Sequence, residues 1–123
     1  KPHSFAICLA DHQLIGSIGL LFPNDSNLPL AAGEAEIGYW LGESFWGKGY
    51  ATEALQAMIA YSFEKLRLSR LLAGAYQENI PSQKVLEKRG FRHRQTIEHF
   101  FSKLTGETHT AMLYALVATP IFR

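Results

Sequence analysis

The chain has 123 residues, of which 47% are hydrophobic and 19% charged, an ordinary globular composition with room for one domain and one core. Its formal net charge of +1 excludes a nucleic-acid binder that works through a broad basic surface, so any attraction for anions is local. No apolar run approaches the roughly 20 residues that cross a bilayer, no signal peptide is visible, and the single cysteine, Cys8, excludes an internal disulfide; a reducing, cytoplasmic setting is expected.

Residues 5–9 and 14–22 are rich in β-formers and are separated by the polar break ADHQ, which predicts a hairpin. Cys8 falls inside the first of these runs and is expected to be a small buried residue rather than a nucleophile. Residues 23–29, PNDSNLP, have loop composition. Residues 34–41 then alternate, with Ile37, Tyr39 and Leu41 on one face and Glu34, Glu36, Gly38 and Trp40 on the other. A third strand follows from this, with Gly38 marking a bulge or a close approach. From Tyr50 to Leu66 the period lengthens: Ala51, Leu55, Met58, Ile59, Ser62 and Leu66 form one helical stripe. A short strand is expected over 71–76. A second helix is expected over 81–89, capped by Asn79 and ended by Gly90. Two last strands, 91–103 and 109–117, are joined by the turn KLTGE. The expected fold is α+β, one domain over residues 1–123, with a mixed, mostly antiparallel sheet flanked by helices.

The stretch FWGKGYATEA, residues 45–54, places two glycines, a lysine and a threonine just before the first helix. A helix N-terminus exposes unpaired N–H groups and carries about half a positive charge, so it attracts phosphate. Gly47 and Gly49 remove side chains that obstruct a close approach. Lys48 adds a charge and Thr52 a hydroxyl. The loop therefore suits a phosphate or pyrophosphate, although glycines that serve turn geometry alone would read the same. A P-loop fits poorly, because Gly47-Lys48 is followed by Gly49 rather than Ser or Thr. A dinucleotide fingerprint also fits poorly: Thr52 stands where its third small residue belongs, and the preceding strands form a meander.

Two long blocks, AEIGYWLGESFWGKGYATEAL (35–55) and ENIPSQKVLEKRGF (78–91), together with the order of elements, resemble the GNAT superfamily of N-acetyltransferases. Within it the chain is similar to the branch of the ribosomal-protein N-terminal acetyltransferases. The first block resembles that family's acetyl-CoA pyrophosphate motif. The resemblance implies that the pyrophosphate rests on backbone amides from Gly47 through Ala51, among them Lys48, Gly49 and Tyr50, with Thr52 at the helix start and Trp46 and Tyr50 on either side. It implies a splay between the third and fourth strands, where pantetheine pairs with main-chain groups near Tyr39 and Leu41 like an added strand. Asn79 would bond the pantetheine arm and Ser82 would lie near the sulfur, while helix capping is the structural alternative for both. Lys84 and Lys88 are candidates for the outer phosphate of the coenzyme.

The implied chemistry asks for little. An α-amino group, with pKa about 7.7–8, is already roughly one-seventh neutral at pH 7, and a carboxylate can relay its remaining proton. Glu36 is the expected base, with Glu34 as the alternative, and a main-chain N–H near Tyr39 or Trp40 is expected to hold the oxyanion. Many superfamily members carry a general-acid tyrosine seven residues after the motif asparagine; here Leu86 stands there, which leaves the Ser82 hydroxyl as the remaining nearby donor, with unassisted departure of the thiolate as the alternative. Arg94 replaces the glutamate that ribosomal-protein acetyltransferases often carry after the Gly-Phe pair. His93, His99 and His109 lack metal-ligand spacing, so no metal is expected. The sequence starts after the strand and helices with which the family normally begins, so the chain is a fragment, lacks those elements, or has its exposed surface covered by a partner subunit, and only the coenzyme half of the site is read from it. The expected partners are acetyl-CoA and a primary amine, a protein N-terminus or a small molecule, without nucleic acid or membrane and with self-association allowed. A non-catalytic coenzyme A-binding or assembly module is the alternative function.

Overall fold

The computed structural model describes residues 3–101 and 106–119. Six strands form one sheet in the order β1-β2-β3-β4-β6-β5: β1 (Ser4–Cys8), β2 (Leu14–Leu21), β3 (Glu34–Leu41), β4 (Arg70–Tyr76), β5 (Arg92–Phe101) and β6 (Thr108–Val117). Neighbours run antiparallel except β3 and β4, which are parallel. Such a pair needs a crossover, and helix α1 (Tyr50–Ala60) supplies it. Helix α2 (Ile80–Lys88) follows β4. This is the mixed, mostly antiparallel α+β sheet that the sequence predicts. The expected turn over 103–107 lies partly outside the described residues.

One face of the sheet carries both helices. Leu55 and Met58 of α1 and Leu86 of α2 enter a core with Ile18, Ile37, Leu71, Ala73, Ala75 and Tyr114. Each buried leucine of this kind contributes about 1.5–3 kcal/mol. The other face holds a smaller cluster, Leu28, Leu72, Leu113 and Ala115, beneath the loop between β2 and β3. β3 divides as expected, with Ala35, Ile37 and Leu41 buried toward the helices and Glu34, Glu36, Gly38 and Trp40 toward the second face.

Local chemistry sets the helix ends. The Asn79 side chain accepts the Ser82 amide at 3.2 Å and caps α2. At its other end Gly90 takes φ +94°. There Gly90 N–H bonds Glu87 O and Phe91 N–H bonds Leu86 O, each at 3.0 Å, a glycine C-cap of the Schellman type. The first helix is regular only to Ala60. Tyr61–Lys65 forms a π-helical turn, where the Ser62 hydroxyl donates to Met58 O at 2.7 Å and competes for a helical acceptor.

Two expectations are corrected. Cys8 is exposed, not buried, because β1 is an edge strand whose register slips between Ile7 and Cys8. Gly38 marks no bulge: β2 and β3 pair without interruption from Gly16↔Leu41 to Leu21↔Glu36, and a Cβ at Gly38 would meet nothing within 4 Å. The close approach lies at Gly16, where a Cβ would strike the Trp40 carbonyl. Gly16→Ala should therefore cost about 2 kcal/mol or more in denaturant unfolding, while Gly38→Ala should stay within about 0.5 kcal/mol of the parent.

Candidate active site

The parallel pairing of β3 and β4 covers only Glu34↔Arg70, Ala35↔Leu71 and Glu36↔Leu72. Beyond it the strands diverge into a fork. β3 keeps β2 on its other side, and Gly42 N–H continues that ladder to Ile15 O at 2.8 Å. Backbone groups alternate in direction along a strand, so the amides of Ile37, Tyr39 and Leu41 face the fork and that of Trp40 faces β2. Of the two amides expected for an oxyanion, Tyr39's is on the open edge and Trp40's is not.

On the helix face the fork opens into a cleft of about 460 Å³. Tyr39, Trp40 and Leu41 form its β3 wall, and Asn79, Ser82, Lys84 and Lys88 line the α2 side. Its end is the loop of Trp46, Gly47 and Gly49 with the first turn of α1, Tyr50, Ala51 and Thr52. The structure thus gathers the residues of the two sequence blocks around one space. Lys48 does not line the cleft.

Gly47 and Gly49 have φ of +74° and +85°. A Cβ at either would meet nothing within 4 Å, so glycine is needed there for backbone conformation rather than for space. Gly49 starts α1 with no side-chain cap. The first bond into the helix runs from Glu53 N–H to Gly49 O, 3.0 Å, so the amides of residues 50–52 have no intrahelical acceptor. A row of free donors at a helix N-terminus is an anion site in chemical terms. The loop is held from outside itself, since the Trp46 indole N–H donates to Leu41 O at 2.7 Å. This contact ties the loop to the fork, and it occupies one lone pair of the Leu41 carbonyl, one of the main-chain groups near which pantetheine is expected to pair.

Glu36 lies at the apex of the fork but on the face away from the cleft. Its carboxylate accepts the Ser26 hydroxyl at 2.6 Å, and the same Ser26 oxygen accepts Leu28 N–H at 2.9 Å. Burial pushes the Glu36 carboxyl above its ordinary value, and the Ser26 bond offsets part of that rise. Glu34 is committed elsewhere, to the Ala31 amide at 2.9 Å and the Arg70 guanidinium at 3.3 Å, so Glu36 is the freer of the two carboxylates.

Contacts between elements fix the α2 wall. Arg89 Nη1 donates to Gln56 Oε1 at 2.6 Å, joining α2 to α1. The Tyr114 hydroxyl donates to Glu87 at 3.2 Å, joining α2 to β6. Gln83 Nε2 donates to the carbonyls of Tyr76 and Gln77 at 3.0 and 2.9 Å and holds the turn that leads into the helix. Across the fork the hydroxyls of Tyr39 and Ser82 share a hydrogen bond of 2.9 Å. Sequence reasoning missed Ser26, Gln83 and the side-chain part of Tyr39. Only Ser26 left a trace, as a polar residue in a loop, and nothing local paired it with Glu36. No group of three or more His, Cys, Asp or Glu among the described residues is placed to hold a metal.

The profile of the acetyltransferase (GNAT) domain matches residues 1–92, and the chain belongs to this family, whose general reaction is acetyl transfer from acetyl-CoA to an amine. It is 35% identical over 118 residues to the uncharacterized N-acetyltransferase p20 of Bacillus licheniformis, covering 95% of this chain and 63% of p20. YdaF of Bacillus subtilis, provisionally named a ribosomal N-acetyltransferase, is 41% identical over 83 residues, covering 68% of this chain and 43% of its own. Among solved structures, Mycobacterium smegmatis RimJ in complex with CoA-disulfide superposes with a TM-score of 0.76 at 28% identity, covering 94% of this chain and 54% of RimJ. The chain thus spans less than two thirds of the length of each of these relatives. No helix among the described residues is long and apolar enough to cross a membrane.

Because the folded chain holds the Glu36 proton more tightly than the unfolded chain, this group's stabilisation is full below the ordinary value of 4.5 and is lost as pH rises through the folded-state value. Glu36→Gln should therefore melt at a higher temperature than the parent at pH 7, and the advantage should shrink as the pH falls toward 4. A loss of melting temperature at pH 7 would show that the carboxylate is structural.

Proposed function

We propose that this chain, as one acetyltransferase domain, transfers the acetyl group of acetyl-CoA to a primary amine by direct attack. One observation carries this reading: uncapped amides at the start of α1 and the unpaired edge of β3 line the same cleft, an anion site leading into a strand-like slot. The coenzyme has the same two parts, a pyrophosphate and an amide-bearing arm. In this reading the pyrophosphate rests on the amides of residues 47–51 beside Trp46, Tyr50 and Thr52. Lys84 and Lys88 face the outer phosphate, and the arm pairs with Tyr39 and Leu41 near Asn79. RimJ, which holds a form of coenzyme A, and the family's general reaction support the assignment.

The acetyl carbonyl then reaches the fork, where Glu36 stands on the opposite face. The amine approaches from that face, so coenzyme and acceptor enter from different sides of one sheet. Glu36 takes the proton of the attacking amine, directly or through water, and its raised pKa suits that task better than an ordinary carboxylate would. The Tyr39 amide N–H donates to the developing oxyanion, and the sulfur leaves on the cleft side, beside Ser82.

Incubation with acetyl-CoA and a panel of primary amines should release free thiol in an amine-dependent way, and Glu36→Gln should lower kcat by about 10²–10⁴-fold. Tight coenzyme binding with no amine-dependent thiol would contradict catalysis and leave a binding module. Alanine at Gly47 or Gly49 forces a side chain into a left-handed conformation at about 1–2 kcal/mol. Each variant should raise the KM for acetyl-CoA about tenfold while leaving kcat within about twofold.

A further inference from the structure

We infer that the Tyr39 hydroxyl is the proton donor to the departing coenzyme thiolate, with Ser82 as the residue that positions it. The inference rests on the acetyl-transfer reading above and adds to it a group which that reading left out. The Tyr39 side chain rises from the β3 arm of the fork toward the helix face, and Ser82 stands on the first turn of α2, just beyond the β4 arm. Their hydroxyls meet at 2.9 Å, so the pair spans the fork on the cleft side. An acyl chain entering the fork from the cleft passes this pair. Its sulfur lies on the cleft side of its carbonyl, and the attacking amine comes from the other face. The leaving atom and the hydroxyl pair therefore share one side.

Acid strength separates the two hydroxyls. A phenol ionises at about 10 and a thiol at about 8.5, near enough for a proton to pass between them in the transition state. A serine hydroxyl is a far weaker acid. Burial pushes the Tyr39 phenol upward and the Ser82 bond offsets part of that, so the phenol keeps its proton throughout the neutral range. The 2.9 Å contact allows either hydroxyl to donate; in this proposal Ser82 donates to the Tyr39 oxygen, and the phenolic hydrogen points at sulfur. Leu86, buried in the core, has an alkyl side chain with no proton to give.

The step balances. The amine nitrogen forms a bond to the acetyl carbon and the carbon–sulfur bond breaks, its electron pair staying on sulfur. Sulfur takes the Tyr39 proton, and Glu36 takes the proton of the new ammonium. Water in the open cleft restores the phenol, and water on the opposite face receives the Glu36 proton.

The test compares acetyl-CoA with its selenium analogue, in which a selenoester replaces the thioester. Selenolate leaves without a proton, so a missing donor matters little to it. Tyr39→Phe should lower kcat about 10²-fold with acetyl-CoA and less than about threefold with the selenoester. Melting temperature and coenzyme A affinity, measured alongside, should stay close to the parent. Ser82→Ala should show a smaller loss with the same dependence on the ester, and Glu36→Gln should lose equally with both. An equal loss with both esters in Tyr39→Phe would overturn the donor role and leave Tyr39 a wall of the cleft. A parent protein that transfers acetyl from neither ester would overturn the acetyl-transfer reading itself, and this inference with it.

Discussion

Everything about the site depends on the pairing of β3 and β4 stopping after Glu36↔Leu72. A parallel ladder that continued to Leu41 would satisfy the β3 edge with protein, and no ligand strand could compete for it. Because it stops, a run of main-chain donors and acceptors is left facing an opening, held in extended form by β2 on the other side. Unpaired backbone is costly to bury, so such an opening persists only where water or a ligand can reach it. The cleft between the two helices gives that access.

The fork also accounts for the division of labour between the two faces. On the helix side lie the free amides of the glycine loop, the lysines of α2 and the Tyr39–Ser82 bond. On the other side, at the apex, lies Glu36 with its Ser26 partner. The two faces meet only where the strands part, so the proposed transfer from an anionic carrier to an amine has one place to occur. Trp46 links the halves through Leu41, fixing the loop in register with the strand edge despite the backbone freedom of two glycines.

Much of this was legible in the sequence, for physical reasons. Helix capping acts within four residues, so Asn79 and Gly90 mark the ends of α2 directly, and left-handed backbone needs glycine, so Gly47 and Gly49 announce the loop. The alternation of β3 puts Glu36 and Tyr39 on opposite faces. What stayed hidden depends on partners distant in the chain. Ser26 meets Glu36 only through the fold of a loop, and Tyr39 meets Ser82 only across the fork, 43 positions apart. Cys8 sits in a run that looks like an inner strand, since a local pattern does not tell an edge from a centre. The close approach of two strands is a property of the pair, so glycine at 16 and glycine at 38 look alike until the register of β2 on β3 is known. Leu86 shows the reverse case, in which a residue that breaks a family pattern is accounted for by its burial in the core.

The central claim is that the amides at the start of α1 receive the pyrophosphate of coenzyme A. Backbone amide NMR during a titration with coenzyme A tests it most directly. The account predicts that the largest shifts fall on residues 47–52, with a second group at Tyr39 and Leu41. Saturation of binding with those amide signals unmoved and the shifts gathered elsewhere would contradict it.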